Sequence, residues 1–61
     1  MIKVNTIEQF EILKHIEENF FVDTLEISIF DTKTLKIVDK NKKEGYFFYS
    51  DGKIIFSIIP F

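Results

Sequence analysis

Residues 44–61 read EGYFFYSDGKIIFSIIPF, and the fold turns on how this stretch is understood. Asp51-Gly52 lies between two apolar runs, Gly45 to Tyr49 and Ile54 to Ile59, which is the strongest short-range signal for a β-hairpin. A two-residue turn there pairs Ser50 with Lys53 and sets the register behind it. Tyr49/Ile54, Phe47/Phe56 and Gly45/Ile58 then share one face, and Phe48/Ile55 and Tyr46/Ser57 share the other. Neither face is polar, whereas a half-exposed antiparallel strand alternates apolar with polar residues. The hairpin therefore calls for cover on both sides.

Upstream, Leu25, Ile27 and Ile29 alternate with Thr24, Glu26 and Ser28, the period-two pattern of a half-buried strand. Asp31-Thr32-Lys33-Thr34 supplies turn chemistry before Leu35-Lys36-Ile37-Val38 returns. A two-residue turn at Thr32-Lys33 would set Ile29 against Lys36. Matching Ile29 to Leu35 needs a longer loop or a bulge, and the longer loop is the expectation because it keeps the apolar side chains together. Asp39-Lys40-Asn41-Lys42-Lys43 reads as a solvated connection.

Residues 6–20 carry the one helical pattern. Phe10, Leu13, Ile16 and Phe20, with Ile12 beside them, recur at helical spacing, and Glu8, Glu11, His15 and Glu18 fall opposite. Asn5 with Glu8 forms one capping-box register, and Thr6 with Gln9 forms a second, one residue later. The expected fold is α+β: one N-terminal helix packed on a four-stranded antiparallel meander. Residues 1–4 are an optional short edge strand, and Pro60 follows the last strand, where a missing N–H does least harm. Residues 1–61 make a single small domain.

A chain of 61 residues buries only about 60% of its unfolded surface and is marginal alone. The usual reinforcements are disulfides, metals or association. There is no Cys and only one His, so neither a disulfide framework nor a cofactor or metal is expected. Association remains. One helix of about fifteen residues, about 22 Å long, covers one face of a small sheet. Leaving about 400 Å² of apolar area open on the other face would forgo about 10 kcal/mol, as much as a domain's net stability.

No apolar run approaches the roughly 20 residues of a membrane span, and none suits a signal peptide; a cytoplasmic protein with no membrane role is expected. The net charge is −2, and all eight basic residues are Lys. The lack of Arg removes the preferred bidentate reader of phosphate and guanine. Ala is missing too, and this bias toward Lys, Ile, Phe and Asn reads as an AT-rich genome, such as that of a low-GC bacterium, a phage or another mobile element.

Lys43-Glu44-Gly45-Tyr46-Phe47-Phe48-Tyr49 resembles the aromatic strand of RNA-recognition and cold-shock domains. The resemblance implies base stacking beside a lysine groove, with Lys40, Lys42, Lys43, Tyr46 and Tyr49 as contacts. The seven residues depart from that pattern at Glu44, which splits the Lys-Gly step, and at Phe47, where a small residue is usual. Glu11, His15 and Glu18 can meet on one helix surface, but an exposed helix face offers no cleft that excludes water. No glycine-rich phosphate loop or nucleophile elbow is present. The expected function is a non-enzymatic protein-binding module, such as an inhibitor, adaptor or antitoxin-like factor, with nucleic-acid binding as the alternative. Its interface would be the hairpin face and tail, with Tyr46, Phe48, Ile55, Ile59 and Phe61 docking on another protein or on a second copy of the chain.

Overall fold

A computed structural model describes residues 3–59. The helix α1 spans Ile7–Asn19 and is followed by a short 3₁₀ turn at Val22–Thr24. The strands are β1 (Leu25–Asp31), β2 (Thr34–Asp39), β3 (Glu44–Ser50) and β4 (Lys53–Ser57). They form one antiparallel sheet in the order β1-β2-β3-β4, so the meander expected from the sequence is the fold. Lys3 and Val4 lie outside any strand, and the rest of the optional edge strand, Met1 and Ile2, lies outside the described residues.

The helix starts in the Thr6 register. Thr6 is extended at φ −129° and ψ 159°, and its Oγ1 accepts the Gln9 N–H at 3.0 Å. Gln9 Oε1 accepts in return from the N–H groups of Asn5 (2.7 Å) and Thr6 (3.2 Å). The Asn5/Glu8 register loses because Gln9 faces the sheet and does more there: its Nε2 donates to the Asp31 carbonyl at 2.8 Å. Thr6 Oγ1 donates to the Thr32 carbonyl at 2.7 Å. The helix start is thus bolted to the β1–β2 turn, with Gln9 only 2% exposed.

Gln9, Ile12, Leu13 and Ile16 are the buried helical residues, packed on Leu35 and Ile37 of β2 and Phe47 of β3. The apolar stripe is therefore rotated from the expected one. Phe10 is 54% exposed, and Phe20 keeps 45% of its surface in solvent. His15, expected on the water side, instead meets Phe47 edge-on at 5.8 Å between ring centroids. The physical reason is Gln9: an amide bonded through both its oxygen and its nitrogen takes the core position that hydrophobicity alone would have given to Phe10.

The last hairpin has the register read from its turn, with Ser50 opposite Lys53, Phe47 opposite Phe56 and Phe48 opposite Ile55. Asp51 (φ 54°) and Gly52 (φ 79°) are both left-handed, as a type I′ turn requires. Pairing stops at Tyr46 and Ser57, so Gly45 and Ile58 do not face each other. The Ser57 Oγ bonds instead with the main chain of Ile59, donating to its carbonyl at 2.8 Å.

In the first hairpin Ile29 does oppose Leu35, but by the other route. Asp31 opposes Thr34 across a two-residue turn, and the register shifts between Ile29 and Asp31. Phe30 is the bulged residue. Neither Thr32 nor Lys33 has positive φ, so this turn lacks the twist of a type I′ hairpin, and the bulge restores the apolar alignment. Asp31 Oδ1 steadies the turn by accepting the Lys33 N–H at 2.9 Å.

Candidate protein interface

The sheet alternation assigns Leu25, Ile27, Ile29, Leu35, Ile37, Gly45, Phe47, Tyr49, Ile54 and Phe56 to the side facing the helix. Thirteen helical residues cannot roof four strands, and α1 sits over β2 and β3. Cover therefore fails at the two margins rather than only on the far face. Ile29 on β1 and Phe56 on β4 are both substantially exposed.

At the β4 margin, Phe56 lies 4.9 Å from Phe47 between centroids, and Phe20 approaches the same ring at 5.8 Å. Gly45 makes the Phe56 position available. A Cβ added there would fall 2.5 Å from Phe56 Cε1, so only a glycine lets the ring fold across β3. Phe56 nevertheless keeps 52% of its surface in solvent, and Ile55 on the opposite face keeps 41%. Ile58 and Ile59 extend this apolar surface beyond the strand, both exposed.

The far face is less open than its sequence implied. Phe30 from the bulge stands edge-on to Tyr46 at 5.1 Å, and Tyr46 is 6% exposed. Thr34, opposite Phe48, is buried as well. The bulge thus sends an aromatic ring to seal part of a face that the helix does not reach. Phe48 is half-buried. Of the hairpin residues expected to form an interface, Ile55 and Ile59 are presented to solvent, Tyr46 supports from beneath, and Phe61 lies outside the described residues.

The residues of the nucleic-acid reading are not brought together. Lys40, Lys42 and Lys43 are exposed in the β2–β3 connection. Asp39 organises that connection by accepting from Asn41 N–H (2.8 Å) and Lys43 N–H (3.0 Å). Tyr46 and Tyr49 lie on opposite faces of β3, Tyr46 buried and Tyr49 packed against the core. Lys36 Nζ approaches Glu44 Oε1 at 3.7 Å, a surface pair worth about 0–1 kcal/mol. Among the described residues no group of three His, Cys, Asp or Glu side chains is placed to hold a metal ion. His15 contacts Asn19, whose Nδ2 donates to the His15 carbonyl at 2.8 Å. No helix among the described residues is long and apolar enough to cross a membrane.

At the β1 margin, a groove of about 460 Å³ runs between helix and strand, lined by Leu13, Glu17, Val22, Asp23, Leu25, Glu26 and Ile27. Phe10 shares the helix flank of Leu13 and Glu17, one and two turns away. Sequence reading missed this groove because it assumed that the helix would cover β1. The clue was Gln9, whose place in the core swings Phe10 outward. No protein-family model, curated protein or solved structure matches the chain.

Proposed function

We propose that this protein is a small non-enzymatic binding module that docks on another protein through the apolar surface of its β3–β4 hairpin. The observation that carries the reading is β4 itself. A five-residue edge strand leaves Ile55 in solvent on one face and Phe56 on the other, and Ile58 and Ile59 continue the surface. Isolated exposed apolar side chains are ordinary, but a contiguous run on monomers marks interaction sites. An edge strand also offers unpaired main-chain groups that a partner strand can complete. Inhibitors, adaptors and antitoxin-like factors act in this way, by occupying a surface rather than transforming a substrate.

The test pairs Ile55→Lys with Phe56→Lys in one variant. Both side chains are half in water, so the variant is expected to fold with unchanged circular dichroism. Wild-type protein should bind a hydrophobic dye and, when tagged, retain a specific target from cells that carry its gene; the variant should lose both. Wild-type protein that binds no dye, or a variant that captures the same target equally well, refutes the reading.

A further inference from the structure

We infer that the β1 edge is a docking site for an extended basic segment of a partner protein, which joins the sheet as an added antiparallel strand. This site is separate from the β3–β4 hairpin surface, and the inference does not rest on the hairpin reading.

The main chain of β1 is open where such a strand would bond. The Lys33 carbonyl accepts from the Tyr49 N–H at 2.9 Å, and the Asp39 N–H donates to the Lys43 carbonyl at 3.0 Å. Odd-numbered residues of β2 therefore bond to β3, and even-numbered ones bond to β1. Lys36 and Val38 oppose Ser28 and Glu26, which turns the main chain of Ser28 and Glu26 inward and that of Ile27 and Ile29 outward. The Leu25 N–H is committed to the Val22 carbonyl at the end of the 3₁₀ turn, and the bulge puts Phe30 and Asp31 on one ladder step. The open stretch is thus short, and the N–H and C=O groups of Ile27 and Ile29 fix an added strand in place. An antiparallel strand is the more stable addition. The seven residues of β1 hold no Pro and no Lys, the residues that usually block an exposed edge.

Charge decides what kind of strand fits. On the face away from the helix, β1 presents Glu26, Ser28 and Asp31 in a row. On the helix side, Glu17 and Asp23 flank the apolar floor of Leu13, Val22, Leu25 and Ile27. Among the described residues no Lys lines this groove. Lys33 stands in the turn at one end of β1, and Lys40 and Lys42 stand beside Asp39 at the other. Lys36 is drawn across to Glu44 on β3. A second copy is the wrong occupant. The antiparallel register that satisfies both Ile27 and Ile29 would set Glu26 level with the second copy's Asp31, and like charges directly opposed are destabilising. The strand that matches carries basic residues opposite Glu26 and Asp31, a small polar residue opposite Ser28, and apolar residues beside Ile27 and Ile29, over the groove. One more basic residue, level with Leu25, lays its stem on that side chain and brings its charge to Glu17 and Asp23.

The probe is the peptide acetyl-Lys-Val-Thr-Val-Lys-Lys-amide, which carries that pattern. It is compared with a copy that has Glu at each Lys, and with a copy N-methylated at both valines, whose N–H groups face β1 in this register. Titrated into isotope-labelled protein, the basic peptide should move the Ile27 and Ile29 amide signals and slow their hydrogen exchange. Its Kd should rise several-fold at high salt, where exposed charges are screened. The acidic copy should bind an order of magnitude more weakly, and the N-methylated copy should not bind. Asp23→Lys combined with Glu26→Lys, both at exposed positions, should reverse the preference between basic and acidic peptides. The Ile55→Lys, Phe56→Lys variant should bind the basic peptide normally, so the two surfaces are read separately. No signal change at millimolar basic peptide overturns the inference, as do changes centred away from β1. Equal binding of the acidic or the N-methylated copy, or a wild-type protein that self-associates through the Ile27 and Ile29 amides, does the same.

Discussion

Replacing Gln9 by Leu tests whether a buried amide, rather than apolar periodicity, sets the seat of the helix. The substitution keeps volume and helix propensity nearly constant and deletes the contacts from the side chain to Asn5 N–H, Thr6 N–H and the Asp31 carbonyl. Each such bond contributes about 1 kcal/mol net. Asn5 and Asp31 are exposed, so their freed main-chain groups can reach water, and the loss stays near the sum of about 3 kcal/mol rather than a full desolvation penalty. A buried Leu returns about 1 kcal/mol through its apolar surface. The net expectation is a destabilisation of about 2 kcal/mol, a fall in Tm of about 10 °C for a domain of this size. Thermal unfolding followed by circular dichroism reads it directly. Glu8→Ala is the control, because Glu8 caps only in the Asn5 register and otherwise contributes only the small first-turn charge effect, and it should shift stability by less than about 0.5 kcal/mol. A Leu variant as stable as wild type, or a Glu8→Ala loss of similar size, would refute the reasoning.

Gly45→Ala should cost about 1–3 kcal/mol by pushing the Phe56 ring off β3. Most of that cost should vanish in a Phe56→Ala background, as urea unfolding of the double-mutant cycle would reveal. Ile16, fully buried, should lose about 2–5 kcal/mol on truncation to Ala. Phe10→Ala, on the open flank, should lose less than half as much in the same assay, the reverse of what residue size alone predicts. Lys42 sits at φ 67°, so Lys42→Gly should raise stability by about 1 kcal/mol, seen as a higher urea midpoint with unchanged slope.

The hairpins were legible in the residues because their signals are local. Asp51-Gly52 permits left-handed φ at both turn positions, and the alternation of Leu25, Ile27 and Ile29 admits one strand register relative to the core. The capping register and the rotation of α1 were not legible, because both depend on Gln9 reaching the Asp31 carbonyl, 22 residues away in the chain. The bulge was hidden for a related reason. A longer loop and a two-residue turn with Phe30 extruded align Ile29 with Leu35 equally well, and only the packing of Phe30 on Tyr46 distinguishes them. The candidate surface was half legible: the excess of apolar residues could be counted, but its location at the sheet margins depends on where a short helix comes to rest.

The bond from Gln9 to the β1–β2 turn also orders events in time. The helix precedes every strand in the chain, yet thirteen residues alone form a helix only marginally in water. Its amide has no partner until Asp31 has turned the corner, and Ile12 and Ile16 have no floor until β2 and β3 are paired. Until the strands follow, this amphipathic segment has no surface to pack on. The meander closes through neighbouring hairpins, contacts that form quickly because their loops are short. The order expected from these contacts is a sheet that assembles first and a helix that latches onto it, which low Φ-values across α1 beside higher ones in the hairpins would show.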